Sequence, residues 1–130
     1  MGPLALMAQG AGMTVFGSDL AGGAVTNELV NHGIQICLGV QDGEFLKARV
    51  KNDGVDWFVY TSALPANHPE LLMAKKLKLK ISKRDELLNY LIKKLKLKLI
   101  AVAGTHGKTT TTAMIVWMAQ QLGIPLSYII

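Results

Sequence analysis

The chain has 130 residues, half of them hydrophobic and 6% aromatic, enough for about one domain with a true apolar core. Its formal charge is +5, yet ten of its fourteen Lys and Arg lie between Lys75 and Lys98, so the charge marks a local basic segment and not a uniformly basic protein. One cysteine, Cys37, excludes an internal disulfide, and His32, His68 and His106 are too scattered for metal-ligand spacing, which leaves a reducing cytoplasm as the expected setting.

Met1 to Ser18 carries no charge, but no basic residue precedes its apolar part and Pro3, Gly10 and Gly12 interrupt it. It therefore reads as neither a secretion signal nor a membrane span, and a short helix over Leu4 to Ala8 is expected. Gly10-Ala11-Gly12 looks like part of a dinucleotide fingerprint, yet such a loop follows a strand and opens a helix. Here the order is reversed, so these glycines read as a helix-to-strand turn. Thr14 to Phe16 is a short strand ending at Gly17-Ser18-Asp19, and an acidic residue in the place of Asp19 can bond a ribose hydroxyl. Val25 to His32 reads as a helix with Val25, Leu29 and Val30 inward and Gly33 as its stop.

Ile34 to Leu38 is the next strand, with Cys37 as a small buried apolar residue. Gly43 to Lys51 is a helix of weak pattern. Asp56 to Tyr60 is a third strand running into Thr61-Ser62-Ala63. Pro69 suits a first helical position, with Leu71, Leu72, Ala74 and Leu77 lining the helix that follows. Strands followed by helices, with near-continuous apolar strands, predict an α/β fold built on a parallel sheet covered on both faces.

The basic segment holds two near-copies, Lys75-Lys76-Leu77-Lys78-Leu79-Lys80 and Lys93-Lys94-Leu95-Lys96-Leu97-Lys98. Between them Ser82 followed by Asp85 looks like a capping signal, and Leu87, Leu88, Leu91, Ile92 and Leu95 form one stripe of a helix. Each copy then sits where a helix ends and leads into a strand, with its lysines complementing the helix dipole. That favours a solvated lysine face over a polyanion or membrane site, so neither nucleic acid nor membrane is an expected partner.

Leu99-Ile100-Ala101-Val102-Ala103 followed by Gly104-Thr105-His106-Gly107-Lys108-Thr109 has the layout of a strand, a phosphate-cradling loop and a helix. Gly104 and Gly107 free the backbone to turn N–H groups toward a polyphosphate, and the helix starting near Lys108 adds its own free N–H groups and dipole. Lys108 would reach terminal phosphates, and the Thr109 hydroxyl suits Mg2+. An ordinary strand-to-helix turn with packing glycines is the alternative. The general phosphate loop has a glycine five residues before Gly107, where this chain has Val102, so the loop is a shorter variant.

Three motifs together resemble the Mur ligases of peptidoglycan precursor synthesis: Gly17-Ser18-Asp19; Thr61-Ser62-Ala63-Leu64 with Asn67-His68-Pro69-Glu70; and Ala103-Gly104-Thr105-His106-Gly107-Lys108 with Thr109 to Thr112. His106 and the Thr-Ser-Ala-Leu loop are most similar to the branch of the family that adds L-alanine to UDP-N-acetylmuramate. The resemblance implies a Rossmann-like domain over residues 1–97 that binds the UDP part of the substrate. Residues 98–130 would then open a second α/β domain for ATP. By the same likeness, Ser18, Asp19, Thr61, Ser62 and Ala63 would approach the nucleotide. Gly104, Thr105, His106, Gly107, Lys108, Thr109 and Thr110 would hold ATP, with Thr109 on Mg2+ and Lys108 acting on the transferred phosphoryl group.

In this family ATP phosphorylates the muramoyl carboxylate, and the amine of L-alanine attacks the acyl phosphate. Two further readings stay open: a sister ligase attaching a recycled murein peptide to the same nucleotide sugar, and a non-catalytic nucleotide-binding module. Family members open on a strand and a G-x-G-G-x-G-M loop, and Met1-Gly2 corresponds to the end of that loop. The expectation is a fragment without ligase turnover, whose sheet has a strand exposed in its middle.

Overall fold

The computed structural model describes residues 1–128. Contacts divide the chain into one unit of Met1–Leu97 and a second beginning at Lys98. In the first unit the elements are helix α1 (Gly2–Gly10), strand β1 (Phe16–Asp19), α2 (Ala24–Asn31), β2 (Gln35–Leu38), α3 (Glu44–Asp53), β3 (Trp57–Tyr60), α4 (Pro69–Lys76), β4 (Lys80–Lys83) and α5 (Arg84–Lys94). The second unit holds α6 (Lys108–Gln121).

All strand pairing is parallel, as the alternation predicts. It is divided, however, into two two-stranded sheets, β1 with β2 and β3 with β4. Each sheet is one strand–helix–strand unit closed on itself, and among the described residues no strand is bonded to both β1 and β3. The single sheet expected from sequence is thus two half-sheets. Helices join them: α1 packs on α2 and α5, while α3 packs on α4. Leu4 and Ala8 of α1 meet Leu87 and Leu91 of α5 in a buried cluster, and Val15, Trp57 and Val59 pack against it. Leu91, fully enclosed, is the centre of that core.

Several boundaries and faces differ from expectation for local reasons. Strand β1 runs through Gly17-Ser18-Asp19 instead of ending before it, because each of these residues is in ladder register with β2. In α2 the inward residues are Thr26 and Leu29; Val25 and Val30 are about half exposed. Thr26 turns in because its Oγ1 both accepts from the Gly23 N–H at 2.7 Å and donates to the Gly23 carbonyl at 2.9 Å, closing the helix start. In α4 the buried face is Glu70, Leu71 and Ala74, with Leu72 outside. Cys37 is only half-buried. Ser82 does not cap α5: it lies in β4, and the cap is Glu86, whose Oε1 accepts the Lys83 N–H at 3.2 Å.

The two lysine-rich copies do occupy equivalent places at the ends of α4 and α5. Lys78 and Lys96 both take left-handed conformations, with φ 55° and 53°. After each, a leucine N–H bonds back five residues, Leu79 to the Ala74 carbonyl and Leu97 to the Ile92 carbonyl. The first copy leads into β4, but the second does not lead into a strand. Residues 98–103 are irregular because the described part of the second unit offers no strand to pair with them, and a lone strand leaves its backbone groups without partners. No strand follows α6 over residues 124–128, and positions 129 and 130 lie outside the described residues.

Candidate functional site

In the second unit the loop 104–107 takes its form from glycine. Gly107 stands at φ 76° immediately before α6, a left-handed conformation that β-carbons disfavour. At Gly104 a β-carbon would stand 3.4 Å from the His106 carbonyl oxygen. No side chain caps α6 among the described residues, so the N–H groups of its first turn lack partners within the helix and its positive end faces the loop. The Lys108 ammonium folds over the same loop, donating to the Gly104 carbonyl at 2.6 Å and the Thr105 carbonyl at 3.4 Å. Thr109 and Thr110 are exposed beside it and line an open groove with Met114 and Trp117. Free N–H groups, a cation and a glycine turn in one place are the groups that could hold a phosphate-like anion.

In the first unit the expected residues lie at the C-terminal ends of parallel strands, where ligands bind in open α/β sheets. Ser18 and Asp19 finish β1, and Asp19 is exposed, its carbonyl accepting the Gly39 N–H at 2.9 Å. Thr61, Ser62 and Ala63 follow β3 in a turn closed by the Leu64 N–H on the Thr61 carbonyl at 3.0 Å. Ser62 and Ala63 are exposed, and Ser62 borders a hollow with Tyr60, Leu71 and Lys83.

A polar run starts from Ser18. Ser18 Oγ donates to Glu70 Oε2 at 2.7 Å, Gln41 Nε2 donates to Ser18 Oγ at 3.3 Å, and Gln41 Oε1 lies 3.3 Å from His68 Nε2. It brings together the end of β1, the loop after β2 and the start of α4, and so ties the two half-sheets near the C-terminal ends of their strands. Glu70 is buried at 5% exposure, one residue past Pro69 in the first turn of α4. Gln41 and Glu70 were not among the expected site residues. The available signal was the run His68-Pro69-Glu70: proline fixes the helix start, and that places Glu70 on the same face as Ala74, one turn on.

Among the described residues no three His, Cys, Asp or Glu side chains gather as a metal centre requires, and no helix is long and apolar enough to cross a membrane. A family profile described as "Mur ligase family, catalytic domain" matches residues 1–96. Curated relatives named UDP-N-acetylmuramate--L-alanine ligase include that of Caldicellulosiruptor bescii, 39% identical over 115 residues, covering 88% of this chain and 24% of the relative. The Symbiobacterium thermophilum protein of that name is 36% identical over 124 residues, 95% of this chain and 24% of the relative. That of Clostridium acetobutylicum is 40% identical over 104 residues, 80% of this chain and 21% of the relative. The chain therefore spans about a quarter of the length of the curated relatives it matches.

Proposed function

Because this chain belongs to the Mur ligase family, we propose that it supplies the nucleotide-sugar site and the phosphate loop of an ATP-dependent ligase joining L-alanine to UDP-N-acetylmuramate. The observation that carries the reading is the 36–40% identity to ligases of that name over most of this chain. Ser18, Asp19 and the turn Thr61-Ser62-Ala63 would receive the uridine diphosphate part of the substrate, at strand ends suited to it. Gly104, Thr105, His106, Gly107, Lys108, Thr109 and Thr110 would receive the phosphates of ATP.

Each part of the loop then has a task. The first-turn N–H groups of α6 would orient the phosphates, and the Lys108 ammonium, exchanging loop carbonyls for phosphate oxygens, would offset charge on the transferred group. Thr109 would offer its hydroxyl to Mg2+, an ion that is commonly held by few protein ligands together with substrate phosphates. When bound it would neutralise charge between the phosphates. Transfer of the terminal phosphoryl group to the muramoyl carboxylate releases ADP, and the alanine amine displaces phosphate to form the amide.

Joining residues 1–130 to the remaining length of the Symbiobacterium relative tests this. The expected result is alanine-dependent ADP release that falls by at least about a hundredfold in Lys108→Ala. Residues 1–130 alone are expected to bind UDP-N-acetylmuramate without turnover. A chimera that folds and binds Mg-ATP but never responds to alanine would overturn the reading.

A further inference from the structure

The directions within the polar run at the ends of the strands follow by elimination. A carboxylate only accepts hydrogen bonds, so the Ser18 hydroxyl proton goes to Glu70, over 2.7 Å. Gln41 turns its amide nitrogen to Ser18, which leaves its oxygen for His68 and makes His68 Nε2 the donor of that contact. The protons thus point one way, from His68 to Gln41 to Ser18 to Glu70. No Lys, Arg or His forms an ion pair with Glu70 among the described residues, so its acceptor capacity is not spent on a cation.

A free serine hydroxyl rotates and can either donate or accept. Ser18 has lost that choice: its proton is committed to Glu70 and one lone pair to Gln41. We propose that Glu70 is a positioning residue that holds Ser18 as a hydrogen-bond acceptor, so that the end of β1 selects a nucleoside N–H or O–H donor and disfavours an acceptor. This rests on the reading of these strand ends as a nucleotide site. The donor is the imide N–H of the base or a ribose hydroxyl, two sources of the same chemistry. If the run only fastened β1 to α4, substitutions in it would lower stability and leave ligand preference unchanged.

The test is calorimetric titration of residues 1–130 with UDP, N3-methyl-UDP, 2′-deoxy-UDP and 3′-deoxy-UDP. The wild-type chain should bind one analogue about fivefold more weakly than UDP, the scale of one neutral hydrogen bond, and that analogue identifies the donor. Ser18→Ala and Glu70→Leu should both bring the ratio to about one. Glu70→Gln keeps an oxygen to accept the Ser18 proton and should keep the ratio. An undiminished ratio in folded Glu70→Leu, or equal binding of all four ligands by the wild-type chain, overturns the proposal while leaving the nucleotide site intact. Should Glu70→Leu not fold, an undiminished ratio in Ser18→Ala overturns it equally. Absence of any UDP binding by the folded wild-type chain defeats the nucleotide reading itself, and the proposal with it.

Discussion

Trp57 donates its indole N–H to Ser82 Oγ over 2.8 Å, and Ser82 is only 3% exposed. The same indole carries Lys80 Nζ 3.6 Å from its ring centroid and meets Tyr90 edge-on at 5.2 Å. Removing the hydroxyl would leave a donor in a largely dry place, a loss that exceeds the modest gain from an ordinary hydrogen bond. Ser82→Ala should therefore lower the unfolding free energy by about 1–2 kcal/mol, read from urea transitions followed by circular dichroism. A change within error would mean that water reaches the indole. Sequence spacing misplaces Ser82 as a helix cap, since Ser-x-x-Asp is a local signal and the Trp57 partner is reached only through the ladder of β3 with β4. Arg49 was hidden for a similar reason. It bonds Gln35 at 3.0 Å, pairs with Asp53 at 3.1 Å and lies over the Phe16 and Phe45 rings, docking α3 on the first half-sheet without any apolar stripe.

Helix existence was legible because it depends on local chemistry: Pro69 at the start of α4, Gly33 after α2 and the leucine stripe of α5 all act within a few residues. Strands were legible less evenly, because a strand needs a partner: the one expected after the first lysine copy forms as β4, and the one expected over 99–103 does not. Lys80–Lys83 looks unpromising and becomes a strand through pairing with β3, whereas the far more apolar Leu99 to Ala103 has no partner and forms none. The ends of α4 and α5 carry a separate cost. The conformation at Lys78 and Lys96 is one that glycine takes freely and a side-chain-bearing residue takes at about 1–2 kcal/mol. Lys78→Gly and Lys96→Gly should each raise stability by about 1 kcal/mol, seen as a higher melting temperature, with the double variant close to additive. Lower melting would show that the lysine side chains contribute more there than the backbone conformation costs.

For the first unit taken by itself, the α/β class and the parallel pairing followed from the alternation of elements, and the separation into half-sheets did not. Pattern tells which segments are strands; it does not tell which edges stay unpaired. Those edges have a consequence measured in time. Alternate residues of a parallel strand direct their N–H groups to opposite sides, and β1 and β3 each have a ladder on one side only. Every second amide along Phe16–Asp19 and Trp57–Tyr60 should then trade its proton for deuterium far faster than its neighbours, a two-residue rhythm visible by nuclear magnetic resonance. Uniformly slow exchange along either strand would mean that its outer edge is covered in solution.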